Sequence, residues 1–461
     1  QAGHAGNGRA IPASLPREEC IHELPENERQ CPDCGLPYEE LPFTDDSEEV
    51  DVQVKVVVLR HRRKCYRKTC ACPGPQVLEP PVPSKLIPKS KFTDETWTKF
   101  LLDKYLGQVP ITRQIELLQH TGLPVAKSTV HGGFDRLYDD LAPLYQHFLT
   151  HLHSAGHIQA DETRWMVFEE VEGKTNHRWW LWSFASPSPK IVVFVLDPTR
   201  SAAVPKRSLG ELITPERVTA LADSPLAARI VWVDEKPYLL PPNLKFISAD
   251  RLRVYPALHP DVLVAFCWAH QRRDFVEFQA AFQEQPALTA WADEWLNDIA
   301  QLYQLNDRRL AVRDQPEAWT TAQAALEAAI QTMADKINSR RGLPDAQRRV
   351  LESMDRHWRG LTLFVLYPDL PMDNNWSERL LRLTVLGRKN YNGHQTQRAG
   401  EFGAMMFTFI QTCLVNEVNP YAFLLSYFKA CAEQGHAPAD LTSFSPWLQA
   451  ALPAPPEALP P

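Results

Sequence analysis

The sequence predicts an α/β protein in which a mixed sheet is flanked by helices and preceded by a small cysteine-containing module. A β pattern begins near residue 156 and returns near residues 244 and 262. Between about residues 275 and 366, apolar residues recur every three or four positions, which is the period of a buried helical face. The chain has 461 residues, 44% hydrophobic and 23% charged, which indicates a globular protein of about two to four domains.

Two cysteine clusters precede the sheet. The first is Cys-x-x-Cys-Gly at residues 31–35, and the second lies at residues 65–72. Cys-x-x-Cys-Gly forms a tight turn whose backbone amides face the sulfurs, and a second cluster roughly 30 to 40 residues later completes a tetrahedral zinc site. The alternative is a set of unrelated thiols. The predicted zinc ligands are Cys31, Cys34, Cys70 and Cys72, with Cys65 as an alternative for the second pair.

The remaining cysteines are isolated, and we predict that they are packed in the core or incidental. They are Cys20, Cys267, Cys413 and Cys431. An odd total of nine cysteines, five of them in two clusters, does not indicate a disulfide framework. Reduced thiols indicate a cytosolic protein.

Charge is segregated along the N-terminal part, although the net charge of −7 conceals this. Residues 1–54 contain 3 Lys and Arg against 13 Asp and Glu, whereas residues 55–113 contain 13 against 4. The densest basic run, residues 60–68, has the composition of a nucleic-acid contact, and the alternative is a solvated basic face. The candidate DNA-binding residues in this run are Arg62, Arg63 and Arg67.

Local patterns divide the region before the sheet. We expect residues 1–20 to be a linker, and the first residue, Gln1, indicates a chain that begins inside a longer one. Residues 50–58 alternate and then become apolar, which predicts a strand of a zinc-ribbon-like module. The prolines of residues 73–90 predict an extended, stiff connector.

A helix-turn-helix pattern follows the basic segment. The sequence Thr-Asp-Glu at residues 93–95 is typical of a helix start. A helix over 111–118, a Gly-containing turn over 121–125 and a second helix opening with polar residues match a DNA-binding helix-turn-helix. Lys127, near the start of that second helix, is a candidate DNA contact. The alternative is a packed helix pair with no role in DNA binding.

The predicted strands and helices continue to the C-terminal tail. The first three strands are predicted to form an antiparallel meander, and the last one leads into a helix from about residue 269. Further helices begin near residues 373–375 and flank Asn419-Pro420, and the proline-rich tail is expected to be disordered or loosely draped. The predicted strands span residues 158–161, 178–184, 191–196, 244–250 and 262–267.

Three acidic residues stand where a catalytic site would need them. Asp161 and Asp250 are predicted at strand ends, and Glu378 on a helix. Carboxylates from two strands and one helix can converge on a pair of Mg²⁺ (or Mn²⁺) ions, which prefer oxygen ligands and support phosphoryl transfer. The alternative is chance, because the chain has 56 acidic residues and Asp373 suits a helix N-cap.

The sequence motifs around these acids resemble those of the insertion sequence sixty-six family of bacterial transposases. The likeness covers roughly residues 17–430. It is carried by Ala-Asp-Glu-Thr-Arg-Trp at 160–165, Asp250 with Tyr255, Cys-Trp-Ala-His-Gln-Arg-Arg-Asp-Phe at 267–275, Asp-Asn-Asn-Trp-Ser-Glu-Arg at 373–379, Gly-Arg-Lys-Asn at 387–390, and His-Glu-Leu-Pro at 22–25 before the first cysteine pair.

The resemblance implies a ribonuclease-H-like mixed sheet with a large all-helical insertion. It also implies an acidic DDE triad, matched by Asp161, Asp250 and Glu378, and an N-terminal zinc-binding DNA domain. The resulting domain prediction is a linker at 1–20, a zinc module at 21–84, a helix-turn-helix-like segment at 85–153, a catalytic domain at 154–432 with its insertion at about 276–368, and a proline-rich tail at 433–461.

Basic residues near the acids are candidate DNA contacts. His270, Arg272 and Arg273 begin a helix just past a strand end, where they could hold a scissile phosphate; the alternative is a basic surface turn. Trp376 could stack on an unpaired base, but core packing is favoured for it and for Trp165, Trp179, Trp180 and Trp182. The candidates on the following helix are Arg379, Arg388 and Lys389.

The leading hypothesis is a metal-dependent DNA transposase that cuts at element ends and joins the freed 3′-OH to target DNA. The alternatives are a zinc-containing DNA-binding repressor or structural protein that has lost catalysis, and a metal-dependent nuclease without strand transfer. The predicted partners are double-stranded DNA and further copies of the chain, with accessory proteins possible. No membrane association is expected, and the predicted location is the bacterial cytoplasm.

Overall fold

The computed structural model describes residues 11, 13–14, 16–52, 55–170, 172 and 176–449. The chain divides into two compact units. The first comprises Gln1–His61 with Thr121–Leu123, and the second comprises Arg62–His120 with Pro124–Pro461. Most of the predicted linker, residues 1–10, 12 and 15, lies outside the described residues.

The first unit contains little regular structure among its described residues. A 3-10 helix, Glu26–Glu28, precedes a turn at residues 31–35. Gly35 has a φ of 75°, and its N–H donates to the Cys31 carbonyl at 2.8 Å, so the predicted tight turn is confirmed. The strand predicted at 50–58 is wrong for residues 50–52 and 55–58, which form no strand and are exposed; residues 53–54 lie outside the described residues.

The second unit begins with two short strands and three helices. In chain order these are β1 (Tyr66–Arg67), β2 (Val77–Leu78), α1 (Asp94–Tyr105), α2 (Ile111–His120) and α3 (Lys127–Leu152). Thr93 accepts a hydrogen bond from the Thr96 N–H at 3.3 Å, which confirms the predicted helix start. Both helices of the predicted pair form. The expected connector at 73–90 contains the extended strand β2, but it ends in a turn at residues 86–89, where Leu86 and Ile87 are buried.

The next part of the chain contains eight strands and two helices. In chain order these are β3 (His157–Met166), β4 (Arg178–Pro187), β5 (Lys190–Asp197), α4 (Ala203–Leu209), β6 (Glu211–Leu212), α5 (Pro215–Ala220), β7 (Ile230–Val233), β8 (Lys236–Leu239), β9 (Phe246–Ala249) and β10 (Leu263–Phe266). Strands β6, β8 and β7 form a small antiparallel sheet in a region where the sequence gives no clear pattern.

Five strands form the main sheet, in the order β10-β9-β3-β4-β5. Strands β3, β4 and β5 are antiparallel, whereas β9 and β10 run parallel to β3. The predicted mixed sheet is therefore confirmed. The prediction that the first strand ends at Asp161 is wrong, because Asp161 lies inside β3. The strand continues past it since Thr163 and Trp165 still pair with β4.

The helical stretch after the sheet has its own hydrophobic cluster. Its helices are α6 (Trp268–Ala281), α7 (Pro286–Ala311), α8 (Pro316–Asn338), α9 (Asp345–Leu361) and α10 (Leu363–Leu366). Trp295, Ile299 and Leu302 of the predicted apolar stripe are buried in this cluster, and Trp291 packs against it. The stripe is therefore confirmed as core.

The last helices complete the main core. They are α11 (Asn375–Tyr391), α12 (Gln397–Val415), α13 (Pro420–Gln434) and α14 (Pro446–Gln449). Residues of α1, α3, the sheet, α12 and α13 share one hydrophobic cluster. Helix α12 is tied to the edge strand β5, since Thr408 accepts a hydrogen bond from the Phe194 N–H at 2.9 Å.

The expectation of a loose tail is wrong for its described part. Phe444 and Trp447 pack against the main core, and Ser445 is fully buried. The Ser445 hydroxyl lies 2.6 Å from Nε2 of His147 on α3. Residues 450–461 lie outside the described residues. Within the described part of the chain, no helix is long and apolar enough to cross a membrane.

Candidate active site

Asp161 and Glu162 are neighbours on the central strand β3. Because side chains alternate along a strand, Asp161 shares a face with Thr163 and Glu162 points to the other face. Oδ1 of Asp161 accepts the N–H of Glu162 at 2.8 Å. Arg388 of α11 donates to the Thr163 hydroxyl at 2.9 Å, so α11 covers the Asp161 face.

Asp250 follows β9 directly. Since β9 is parallel to β3, it delivers Asp250 toward the same part of the sheet as Asp161. Oδ1 of Asp250 accepts the N–H of Leu252 at 2.9 Å, which fixes the turn after the strand.

Glu378 lies in the first turn of α11, and the start of that helix is anchored on two sides. The Asn374 side-chain amide donates to the Ala160 carbonyl of β3 at 2.9 Å. The Asn374 backbone N–H donates to Sγ of Cys267 at 3.2 Å. These contacts attach the start of α11 to the strand that carries Asp161.

The charges of Asp250 and Glu378 act on Asp161, so these three predicted acids lie near one another. We call them the carboxylate centre: Asp161, Asp250 and Glu378. The pKa of Asp161 rises to about 8, first because the group is buried and then because of the charge of Glu162, with smaller contributions from Asp250 and Glu378. Oε1 of Glu378 is buried without a hydrogen-bond partner among the described residues. Neighbouring carboxylates with an unpaired acceptor offer the oxygen ligands that a hard divalent cation prefers.

Glu162 is a fourth acid beside the centre, with a side chain only 1% exposed. The Tyr255 hydroxyl donates to it at 2.7 Å, and Nε of Arg200 donates at 2.8 Å. Burial raises the pKa of Glu162, while Tyr255 and Arg200 act in the opposite direction. Arg200 also lies 3.9 Å from Oδ2 of Asp250 and packs on the Trp180 ring.

Sequence reasoning missed the roles of Glu162 and Arg200. The adjacent acids Asp161 and Glu162 were a usable signal, because two neighbouring carboxylates on a buried strand need a cation or a donor. Arg200 gave no signal, since it lies in a loop after β5 in a region without a clear pattern.

Cys267 and His270 border the carboxylate centre at the start of α6. Nε2 of His270 lies 3.6 Å from Oε1 of Glu378. One donor atom from each of Cys267, His270 and Glu378 lies within 4.8 Å of the others. Burial lowers the pKa of His270 and raises that of Cys267. Cys267 is buried in the core, as predicted, and it lies beside His270 and Glu378.

The predicted DNA-binding residues occupy different environments. Arg388 is half-buried and donates to the Arg164 carbonyl as well as to Thr163, so it holds α11 against β3. Arg63 is exposed but pairs with Glu79 at 3.1 Å. The exposed candidates are Arg62, Arg67, Lys127, Arg272, Arg273, Arg379 and Lys389.

The predicted zinc ligands fall in different units. Cys31 and Cys34 belong to the first unit, and hydrogen bonds from the backbone amides of Asp33 and Cys34 lower the pKa of Cys31. Amides that face a sulfur favour the thiolate that binds zinc. Cys65, Cys70 and Cys72 belong to the second unit and are exposed. Zinc binding by these residues stays a prediction.

Comparison with known proteins defines the class of this protein as a transposase. The sequence profile described as Transposase IS66 family matches residues 89–224 and 244–402, which is more than half of the chain. Asp161 lies in the first matched segment, and Asp250 and Glu378 lie in the second. The chain belongs to the IS66 family of transposases, as the resemblance of its motifs indicates.

The chain is also similar to three proteins of Sinorhizobium fredii (strain NBRC 101917 / NGR234). Uncharacterized protein y4jD is 24% identical over 450 residues, which cover 95% of this chain and 81% of the relative. Uncharacterized protein y4hP is 22% identical over 456 residues, which cover 95% of this chain and 76% of the relative. Uncharacterized protein y4qI is 24% identical over 431 residues, covering 90% and 73%.

Proposed function

We propose that the chain cuts DNA at the ends of an insertion element and joins the freed ends to target DNA in a metal-dependent reaction. The observation that carries this proposal is the carboxylate centre, in which acids separated by 89 and 128 positions meet beside one sheet. Membership of a transposase family supplies the substrate class, which is DNA.

A ribonuclease-H-like catalytic domain is part of the proposal, and the main sheet supports it. Three antiparallel strands come first in the chain, and two parallel strands are then added beside the first of them. The first strand carries Asp161, and its parallel neighbour precedes Asp250. Helices α6 to α10 lie between the second and third acids in the chain, which supports a helical insertion at about 276–368 in a domain of residues 154–432.

The residues of the carboxylate centre suit a pair of Mg²⁺ or Mn²⁺ ions. When bound, such ions lower the pKa of the attacking water or hydroxyl and stabilise the leaving 3′ oxygen. The chain's own contribution is positional. Backbone amides of Glu162 and Leu252 fix the carboxylates of Asp161 and Asp250, and the anchored start of α11 fixes Glu378. Arg200 supplies positive charge beside Asp250.

The proposed reaction has two phosphoryl-transfer steps. In the first, water attacks a phosphodiester at the element end, the P–O3′ bond breaks, and the departing oxygen takes a proton to become a 3′-OH. In the second, that 3′-OH attacks a target phosphodiester in line and releases a target 3′-OH. Arg272, Arg273 and Arg379 are exposed near the carboxylate centre, where their charge can hold DNA phosphates in register.

The N-terminal part is proposed to bind DNA. The basic run at 60–68 and Lys127 supply phosphate contacts, and structural zinc would be held by Cys31, Cys34, Cys70 and Cys72, with Cys65 as the alternative. Synapsis of two element ends by several copies of the chain belongs to the same proposal. A DNA-binding protein without catalysis would need the same basic surface but no crowded carboxylates, so the carboxylate centre favours the enzyme.

A cleavage assay tests the proposal. Purified chain is incubated with DNA that carries the element ends, with Mg²⁺, and products are separated on a denaturing gel. Cleavage by the wild type and its loss in Asp161→Asn are expected. The matched control is Asp373→Asn. Asp373 accepts a hydrogen bond from the Asn375 N–H at the start of α11, and the amide oxygen of the substituted asparagine can still accept it. Cleavage that persists in Asp161→Asn would refute the site.

Joining is tested separately, by adding target DNA to element ends that already carry a free 3′-OH. Joined products are expected for the wild type. Cleavage without any joining would favour a metal-dependent nuclease. Specific binding of the ends with neither reaction, in the presence of Mg²⁺ or Mn²⁺, would favour a repressor or structural protein.

A further inference from the structure

Glu378 lies near two kinds of donor. The carboxylates of Asp161 and Asp250 are of one kind, and the Cys267 thiol and the His270 imidazole are of the other. Thiol, imidazole and carboxylate together form the ligand set of zinc-like cations, whereas Mg²⁺ avoids sulfur. The same glutamate can therefore serve cations of opposite preference.

We infer that Cys267, His270 and Glu378 form a binding site for a thiophilic divalent cation such as Zn²⁺, next to the hard-cation centre and sharing Glu378 with it. In this group of three, one donor atom from each residue lies within 4.8 Å of the others. Nε2 of His270 lies 3.6 Å from Oε1 of Glu378. A nitrogen and an oxygen at about 2.0–2.1 Å from a tetrahedral zinc ion lie about 3.3–3.4 Å apart, so this pair of ligands needs only a small adjustment.

One unpaired atom supports a cation at the same place. Oε1 of Glu378 is buried without a hydrogen-bond partner among the described residues. Buried polar atoms are nearly always paired, so this oxygen needs an explanation. A cation bound to Oε1 and to the facing Nε2 of His270 would pair this carboxylate oxygen, with the Nδ1 nitrogen carrying the ring proton.

The backbone holds the sulfur in place for this role. Cys267 immediately precedes α6, and its Sγ accepts the Asn374 N–H at 3.2 Å. The Cys267 N–H donates to the Ala249 carbonyl at 3.1 Å, next to Asp250. Cation binding displaces the thiol proton to solvent, and the three protein ligands leave a fourth position for water.

A consequence for catalysis rests on the proposed function. A thiophilic cation at this site engages Glu378, which the hard-cation centre also requires. Zn²⁺ is therefore expected to inhibit Mg²⁺-dependent cleavage, and excess Mg²⁺ is expected to relieve the inhibition only partly because Mg²⁺ does not compete for sulfur.

Cobalt binding by the full chain without DNA tests the site directly. Co²⁺ is titrated into wild type, Cys267→Ser, His270→Gln and Cys413→Ser, and the thiolate-to-cobalt charge-transfer absorption is recorded. Cys413 is the matched control, because it is a buried cysteine on α12. The cysteines at 31–34 and 65–72 are intact in all four proteins, so their contribution cancels in the difference spectra.

Wild type and Cys413→Ser are expected to bind one more Co²⁺ than Cys267→Ser, and the difference spectrum should contain a thiolate band. His270→Gln should lower the affinity for this additional Co²⁺ by at least about tenfold. Equal stoichiometry and superimposable spectra in all four proteins would overturn the inference. Circular dichroism checks folding, and the two ligand variants test the site independently should one of them misfold.

The outcome separates this inference from the proposed function. Cobalt binding that depends on Cys267, in a protein that never cleaves DNA, would refute only the proposed function. Cleavage in a protein without such cobalt binding would refute only this site. The variant Asp250→Asn adds a further check, since it alters the carboxylate centre and is expected to retain the Cys267-dependent cobalt.

Discussion

The carboxylate centre and the cysteine clusters are two candidate metal sites that are built in opposite ways. The acids lie far apart in the chain, and each is held by a strand or helix and by hydrogen bonds to neighbouring backbone. The cysteines lie in short motifs, and four of the five at 31–34 and 65–72 are exposed, beside strands and a 3-10 helix of only two or three residues. In the first case the fold arranges the ligands, whereas in the second the metal would have to arrange the chain.

The carboxylate centre should behave as one unit. Asp250→Asn and Glu378→Gln are each expected to lower the cleavage rate roughly 10³-fold, because metal ions contribute several kcal/mol to the transition state. The double variant should lose little more than either single variant, since residues that act as a unit are strongly non-additive. Single-turnover cleavage rates at saturating Mg²⁺ measure both effects.

Additive losses in the double variant would mean that the two acids act separately. In that case the centre would not be a shared metal site, and the contrast with the cysteine clusters would fail. The control Asp373→Asn should cleave at a rate close to wild type, because it changes a charge near Glu378 without touching the centre.

Tyr255 positions the centre through Glu162. Tyr255→Phe removes the hydroxyl that donates to Glu162 at 2.7 Å, so Glu162 keeps the hydrogen bond from Arg200 but loses the one from Tyr255. Loss of such an outer contact should raise the Mg²⁺ concentration for half-maximal cleavage by about tenfold. The rate at saturating Mg²⁺ should fall much less, which separates a positioning role from a catalytic one.

Tyr303→Phe is the matched control for this experiment. Tyr303 also donates to a carboxylate, Asp373, at 3.3 Å, but that carboxylate lies outside the centre. An unchanged Mg²⁺ requirement is expected. Equal shifts in both variants would show that the effect of Tyr255 is general loosening of the fold.

The cysteine clusters are expected to bind zinc, and the bound zinc should depend on the ligand cysteines. The wild type, purified under reducing conditions, is expected to carry about one equivalent of zinc in the cysteine clusters, in addition to any zinc at Cys267, His270 and Glu378. Cys31→Ser should lose it, whereas Cys20→Ser, which changes another exposed cysteine of the same unit, should retain it. Elemental analysis after gel filtration measures the metal, and zinc-free wild-type protein would contradict the prediction.

Much of the fold follows from the sequence, because strands and helices with a buried face leave a clear period. The five main strands and the helix starts at Thr93 and near Asn375 are of this kind. The end of β3 was missed because Glu162, Thr163 and Arg164 interrupt the apolar pattern, and their polar groups are satisfied by Arg200, Tyr255 and α11. That pairing is tertiary, so no local pattern records it.

The candidate site was also only partly predictable, because local motifs reveal some of its residues and contacts between distant segments reveal the others. Motif resemblance singled out Asp161, Asp250 and Glu378, and in the structure the charges of Asp250 and Glu378 contribute to the raised pKa of Asp161. Arg200 and the contact of Cys267 with Asn374 depend on segments more than 35 positions from their partners, so only the folded chain displays them. The apolar run at 50–58 shows the opposite error, because alternation without a partner strand is not enough to form a strand.

The smallest expected effect is on the salt dependence of DNA binding by the basic run at 60–68. It distinguishes arginines that contact phosphate from arginines that stabilise the fold. Arg62 and Arg67 are exposed, so Arg62→Ala with Arg67→Ala should lower the slope of log affinity against log salt by about 1.8, or 0.9 per phosphate contact. Arg63→Ala should change the slope less, because Arg63 is paired with Glu79. Fluorescence anisotropy across a salt series measures the slope.

The matched control is Arg217→Ala, which removes an exposed arginine from α5, away from the basic run in the chain. Its slope should equal that of the wild type. Thermal unfolding should be unchanged in these surface variants, whereas Arg388→Ala should lower the unfolding temperature because Arg388 bonds to Thr163 and Arg164. An unchanged slope in the Arg62 and Arg67 variant would remove the basic run from the DNA-binding surface, since a contact that releases no counterions is not a phosphate contact.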